Sequence, residues 1–420
     1  MKKISFVMPS RNTLSYLQWA YNSIRSNNGY EHEIIMLDDF SNDDTWNWLQ
    51  EIHSIDLNTK IYRNNGPERL GHTILYDVGV ELAKNDIVCI GHSDMYYAPK
   101  FVDNLLKHYE PNTVVSATRI EPPLHPPGPE KIIYDGGTTL DGFNERTFLN
   151  FAKSTMKENK NKTTRGAFAP WIISKKDFKD IGGHSTTFAP QSREDSDIFN
   201  RFVLAGYKLI QSRDSFVYHM TCRGSRFKDG IGVNSKEWQA TNYKGERNFL
   251  RKWGSMVQHD EYLMPIISNK YQIRVVLDLI DAAPVESVIE LLRIVEPRVS
   301  QIVLFDEKHM YRSEIFEYLE NEQTLTDYEM FKRVLYNPNE TELAEMDIEI
   351  FSTPLILGKN SCMFVQIFSP LFDRLSEVGL FEYENNKIRI NKIKRDYQLD
   401  NIINTNISDE VLKIRNDVKN

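Results

Sequence analysis

Two apolar runs in the first quarter of this sequence end directly in carboxylates. Glu33-Ile34-Ile35-Met36-Leu37 runs into Asp38-Asp39, and Asp86-Ile87-Val88-Cys89-Ile90-Gly91 runs into His92-Ser93-Asp94. In an open α/β sheet, ligands sit beyond the carboxyl ends of the strands. Acids placed there face the crevice and can hold a metal or read a sugar or base. Two in series suggest a site for a nucleotide and its divalent cation. A cation bridging the phosphates of a departing diphosphate needs one or two carboxylates, with phosphate oxygens completing its shell. Asp94 suits that role, although a carboxylate capping the turn before Ala98-Pro99 explains it too. Asp38-Asp39-Phe40-Ser41 could accept from a base N–H or a ribose hydroxyl, or Asp39 or Ser41 could cap the following helix.

A third acidic cluster, Arg193-Glu194-Asp195-Ser196-Asp197, lies at a helix start. Acids are favoured in a first turn, so some of these are dipole residues. One could instead be a general base aimed at an acceptor hydroxyl. His219 ends a strand and is either a structural histidine or a metal ligand. A mixed O/N donor set suits Mn²⁺ better than Zn²⁺. The chain carries no Walker A, HExxH or GxSxG pattern. Gly230–Ser235 fails as a dinucleotide fingerprint because no strand feeds it.

The elements that position these groups alternate. Strands are predicted at Ile4–Met8, Ile34–Leu37, Lys60–Arg63 and Ile87–Ile90, and helices at Thr13–Ser26, Thr45–His53 and Gly71–Lys84. This order argues for right-handed βαβ units and a mainly parallel sheet. Glu121–Glu130, rich in proline, reads as an extended surface loop. A helix follows at Ser196–Ala205, then short strands at Lys208–Gln211 and Ser215–Tyr218. Pro265 to Lys270 marks a boundary. Beyond it, strands at Ile273–Leu279, Ser300–Phe305, Ile348–Phe351 and Met363–Ile367 alternate with helices at Pro284–Val295, Arg312–Glu320 and Asp327–Leu335. The expected division is 1–262, 268–395 and a polar tail 396–420 with a helix capped by Ser408.

The 420 residues are 40% hydrophobic and 26% charged, enough for buried cores. A net charge of −8 argues against a general nucleic-acid binder. Three dispersed cysteines (Cys89, Cys222, Cys362) give no disulfide framework and fit a reducing cytoplasm. The apolar run after Met1-Lys2-Lys3 stops at Pro9, too short for a signal peptide, and no stretch approaches a membrane span. Lys387, Arg389, Lys392, Lys394 and Arg395 form a basic run, read as a solvated face or a contact for an anionic acceptor or membrane surface.

In this order and spacing, residues 1 to about 255 resemble a family 2-like glycosyltransferase of the GT-A fold. The carriers are Val7-Met8-Pro9-Ser10-Arg11-Asn12, Ile35–Ser41 as a "V-D-D-x-S" element, Arg69-Leu70-Gly71, and His92-Ser93-Asp94 at the DxD position. Gly166–Ser174, Phe178–Gly183 and Glu194-Asp195 resemble the acceptor block ending in an ED motif. Gly206-Tyr207-Lys208, Val217-Tyr218-His219 and Lys252-Trp253-Gly254 continue it. His92 replaces the first acid of DxD, Ser196 the usual aromatic, and His184-Ser185-Thr186 an acidic turn facing the acceptor. The resemblance implies a Rossmann-like mainly parallel sheet flanked by helices. It implies an NDP-sugar donor, with uridine favoured, and Mn²⁺ or Mg²⁺. Pro9, Arg11, Asp38, Asp39, Arg69, Ser93 and Asp94 would bind the donor, with Asp94 and His219 on the metal. Asp195 would be the base of an inverting transfer to a hydroxyl acceptor such as a glycan, with Glu194 orienting that acceptor. Trp171 could stack on an acceptor sugar or lie in the core. A retaining transferase, a nucleotidyltransferase and a non-catalytic nucleotide- or carbohydrate-binding module are the rival readings. The part from about residue 268, a smaller α/β unit, resembles no named family. Shaping the acceptor groove, oligomerisation and partner docking are its candidate roles.

Overall fold

In the computed structural model, the first apolar run forms β1 (Ile4–Ser10), and α1 (Leu14–Asn28) leads to β2 (Glu33–Asp38). Next come α2 (Thr45–Ile55), β3 (Thr59–Arg63), α3 (Gly71–Leu82) and β4 (Ile87–Ile90). The structure describes residues 2–224, 226–228, 230–280, 283–339, 343–358, 377–383, 385–393 and 398–419. Strands β3, β2, β1 and β4 lie side by side in that order, all parallel. The order reverses at β1, which places a crevice at the carboxyl ends of β1 and β4. Phe6 and Met8 pack into one core and Val7 into another, so β1 is buried on both faces. That explains why it reads as a continuous apolar run instead of an alternation.

The sheet continues through elements the sequence pattern showed less clearly. These are β5 (Met95–Tyr97), α4 (Phe101–Leu106), β6 (Thr113–Glu121), β7 (Lys131–Ile133), α5 (Glu145–Glu158), β8 (Thr163–Arg165), β9 (Trp171–Ser174) and α6 (Lys175–Asp180). They precede α7 (Glu194–Leu204), β10 (Lys208–His219) and α8 (Lys236–Trp253). The ten-stranded sheet runs β3-β2-β1-β4-β9-β6-β10-β5, with β7 on β6 and β8 on β10. It is mixed: β9 is antiparallel to β4 and β6, and β5 and β8 to β10. The two short strands expected at Lys208–Gln211 and Ser215–Tyr218 are one strand. Its register against β6 shifts between Gln211 and Phe216, where Arg213-Asp214 interrupt the apolar pattern.

The chain divides into two units. The first comprises Met1–Gly245, Gln258–Ile266 and Asp400–Asn420; the second comprises Glu246–Val257 and Ile267–Leu399. The second unit holds β11 (Ile273–Asp278), α9 (Val285–Val295), β12 (Gln301–Phe305), α10 (Arg312–Asn321), α11 (Asp327–Arg333), β13 (Val334–Tyr336) and β14 (Ile348–Ser352). A hairpin of β15 (Gly379–Tyr383) and β16 (Asn386–Ile390) completes its sheet, ordered β13-β12-β11-β14-β16-β15. Its first four strands are parallel and the hairpin is antiparallel. The strand expected at Met363–Ile367, with Lys394 and Arg395 of the basic run, lies outside the described residues. Inside this unit, Glu296 is fully buried and receives Arg247, Arg251 and Arg333 at 2.9, 2.6 and 2.5 Å.

The polar tail does not stay apart from the first unit. Its helix α12 (Asp409–Lys419), with the Ser408 hydroxyl accepting from Val411 N, buries Val411 and Ile414 in the core that contains Leu75 and Val78 of α3. Tyr62 donates to Glu410 at 2.8 Å, and Arg415 meets Glu81 at 2.6 Å. Among the described residues no helix is long and apolar enough to cross a membrane.

Candidate active site

β4 ends at Ile90, and the chain passes through His92-Ser93-Asp94 into β5. Met95 of β5 pairs with His219, the last residue of β10, so Asp94 and His219 become neighbours through strand register. His219 Nε2 lies 3.4 Å from Asp94 Oδ1, and His92 Nδ1 lies 4.0 Å from the same oxygen. Each of the three offers one ligand atom, and these atoms lie within 4.8 Å of one another. Ser93, half-buried, sits between two of them. Burial disfavours the Asp94 carboxylate, but His219 and His92 outweigh it and hold its pKa far below the usual range. Burial, then the charge of His219, pulls His92 down to about 3. Two imidazoles and one carboxylate form a donor set that fits a divalent cation of intermediate hardness.

Behind His219 stands an acid the sequence reading set aside. Glu121 was expected to open a surface loop, yet it ends β6 and is 2% exposed. Pro122-Pro123 break the strand only after it. Its Oε1 lies 2.8 Å from His219 Nδ1. Arg119 and Lys131 each approach Glu121 at 3.1 Å, and Arg119 also reaches Glu130. The β-branched residues in Thr113–Glu121 were the available signal, masked by the proline cluster beside them.

The second cluster opens α7. Ser192 and Arg193 take left-handed backbone, with φ of 85° and 73°, an uncommon conformation for residues other than glycine. They deliver Glu194 and Asp195 into the first turn. Glu194 Oε1 lies 2.7 Å from His72 Nε2. Asp195 is raised to about 6, by burial first and by the Glu194 charge second. Trp171 lies elsewhere: it is fully buried against Phe178, Phe199 and Phe202. It belongs to the core and not to an acceptor platform.

One helix gathers the clusters. Asp39 caps α3 and not the helix that follows it in sequence: its carboxylate accepts from Leu70 N and Gly71 N, both at 2.9 Å. Asn64 Nδ2 at 2.9 Å and Arg69 Nε at 3.4 Å complete its shell. Gly71 has φ +73°, and a Cβ there would strike the Pro190 carbonyl, so only glycine suits this start. The next residue, His72, meets Glu194. One turn on, Tyr76 donates to Gly91 O at 3.3 Å, beside His92. Burial raises the Tyr76 phenol well above its ordinary value, and the charges of Asp195, Glu194 and Asp94 all add to that rise. The three acidic clusters therefore meet around the first turns of α3.

The other expected donor residues lie on the same side. Pro9 pairs with Leu37 in the β1–β2 register. Asp38 is fully buried, accepts from Ser41 N at 3.1 Å and faces Arg63 at 3.4 Å; burial raises its pKa. Arg11 and Arg69 converge on Glu237 of α8 at 3.2 and 2.6 Å, with Lys228 at 2.6 Å. Sequence reading missed Glu237.

His184, at the expected acceptor turn, is buried with Nδ1 2.7 Å from Asp77 Oδ1. The tail reaches this turn: Asn404 Nδ2 donates to Gly182 O and His184 O at 2.9 Å each, and Asn404 N to Ile181 O. Arg201, ion-paired with Asp197, donates to Ile181 O and Gly183 O.

Residues 5–182 match the family model described as glycosyl transferase family 2. That part of the first unit is therefore similar to a family 2 glycosyltransferase domain. Among solved structures, GalNAc-T7 with UDP, GalNAc and Mn²⁺ aligns at 18% identity and a TM-score of 0.43, covering 62% of this chain and 49% of that one. The mannosyltransferase PcManGT from Pyrobaculum calidifontis, in complex with GDP-Man and Mn²⁺, aligns at 16% identity and a TM-score of 0.39, covering 58% and 62%. The alignments span about half of the first of these chains and about three fifths of the second.

Proposed function

We propose that this chain is a metal-dependent inverting glycosyltransferase. It takes a sugar from a nucleoside diphosphate donor, UDP-linked by preference, to a hydroxyl of a glycan, in cytoplasmic polysaccharide biosynthesis. The observation that carries this reading is the meeting of two groups around α3. One is Asp195, with its pKa raised to about 6. The other is the donor set of His92, Asp94 and His219.

Asp195 is the general base in this reading. A carboxylate with a pKa near 6 is ionised at neutral pH yet a better proton acceptor than an ordinary aspartate. It takes the proton of the acceptor hydroxyl as that oxygen attacks the anomeric carbon. The new C–O bond forms opposite the departing diphosphate, so a single displacement inverts the configuration through an oxocarbenium-like transition state. Glu194, held by His72, fixes the turn and orients acceptor hydroxyls. A cation held by His92, Asp94 and His219 would supply positive charge to the departing diphosphate. Asp39 is occupied by α3, so it shapes the nucleoside pocket through the Leu70-Gly71 backbone. Pro9 and Ser93 line the pocket, Asp38 supports it from within through Ser41 and Arg63, and Arg11 and Arg69 supply its positive charge.

The test is a panel of nucleotide sugars and glycan acceptors, with and without Mn²⁺, with product configuration read by NMR. Inverted product formed only with the metal supports the reading. Retained configuration removes Asp195 as base, and release of pyrophosphate indicates a nucleotidyltransferase instead.

A further inference from the structure

We infer that Glu121 is a positioning residue for the cation site: it acts through His219, fixing the imidazole so that Nε2 faces Asp94, and so sets how tightly the cleft holds a divalent ion. The inference rests on the cation site proposed above.

The sheet places the pair. Arg119 and Ile120 of β6 stand opposite Val217 and Tyr218 of β10, so the next step along both parallel strands brings Glu121 to His219. The carboxylate lies 2.8 Å from Nδ1, while Nε2 lies 3.4 Å from Asp94 Oδ1. A carboxylate accepting from Nδ1–H selects the tautomer whose lone pair is on Nε2, the nitrogen that faces Asp94. Such an acid also locks the ring plane and makes the imidazole a stronger donor to a metal.

Glu121 is itself held. It is 2% exposed, with Arg119 and Lys131 each at 3.1 Å. Glu130 also engages both cations, at 3.1 and 3.5 Å. The two cations are thus matched by two acids, and the bond to His219 is additional to that balance. The chain of contacts runs Lys131 and Arg119, Glu121, His219, Asp94.

The test titrates Mn²⁺ alone into the full chain, by calorimetry or by loss of the free-ion EPR signal, so no sugar donor is needed. Wild type is expected to bind, and Asp94→Ala to lose binding. Glu121→Gln is expected to weaken Mn²⁺ binding by roughly 10–100-fold. Glu121→Asp keeps the charge that Arg119 and Lys131 require and withdraws the oxygens by about 1.5 Å, one carbon–carbon bond. It is expected to show the same loss, which covers a Gln variant that fails to fold. In a His219→Ala background, either Glu121 substitution should change affinity by less than about twofold, because the route of its action is gone. Wild-type affinity in a folded Glu121 variant overturns the inference, and so does a loss that adds in full to that of His219→Ala. A wild-type chain that binds no Mn²⁺ instead defeats the cation site itself.

Discussion

Glu194 and His72 lie 2.7 Å apart, carboxylate oxygen to Nε2, and this contact separates the roles of two adjacent acids. Burial opposes both charges, but each partner outweighs it: Glu194 is lowered and His72 raised. Asp195, next in sequence, is raised instead. Carboxylates whose environments push their pKa values apart are suited to different tasks.

Asp195→Asn should lower transfer by roughly 10²–10⁴-fold, the usual contribution of a general base. Nucleotide affinity should stay within about twofold of wild type by calorimetry, since the substitution keeps the size of the side chain. Equal loss of both would remove the base assignment. In the wild type, kcat/KM should rise with pH through about 6 as Asp195 loses its proton. The stability sign is opposite. The raised pKa favours the protonated folded state, so this contribution is full below the ordinary value of 3.8 and is lost as pH rises through about 6.

Asp94→Ala should weaken UDP binding in the presence of Mn²⁺ by at least tenfold and leave metal-free binding unchanged. The measurement is a pair of calorimetric titrations. Unchanged affinity with added Mn²⁺ would overturn the assignment of Asp94 as a ligand.

Asn404→Ala should destabilise the first unit by about 2–6 kcal/mol in urea unfolding. It leaves two buried carbonyls, Gly182 O and His184 O, without the amide that bonds them, and each such loss costs about 1–3 kcal/mol. A change under about 0.5 kcal/mol would show that the turn does not depend on the Asn404 side-chain amide.

Glu296→Gln should destabilise the second unit by roughly 3–5 kcal/mol, because it leaves Arg247, Arg251 and Arg333 around a neutral side chain. Burial disfavours the Glu296 charge, but Arg251, Arg333 and Arg247 outweigh it and lower its pKa to about 2. Its stabilisation is therefore complete above the ordinary value of 4.5 and lost as pH falls towards 2. Thermal melts of wild type and variant should converge across that window.

What was legible in the sequence was local. β1, β2 and β4 show as apolar runs because both faces are covered, and α7 shows because three acids crowd its first turn. What escaped was contact across long separations. Asp39 reads as the cap of the helix that follows, but its carboxylate binds Gly71, 32 residues away. Glu237 meets Arg69 across 168 positions and Asn404 meets Gly182 across 222, and no spacing rule carries such pairs. β6 escaped for another reason: Ser, Thr, Arg and Glu are interleaved with its apolar residues, so a fully buried strand does not read as one.

The return of Asp400–Asn420 to the first unit has a consequence for biosynthesis. A ribosome releases residues in order, so the hydrophobic side of α3 that Val411 and Ile414 cover stays open until those residues have emerged. Final closure of the first unit must then await residues 400–420, with the second unit already made. Nascent chains stalled before residue 400 should carry that unfinished surface, and it is there that a chaperone would find them.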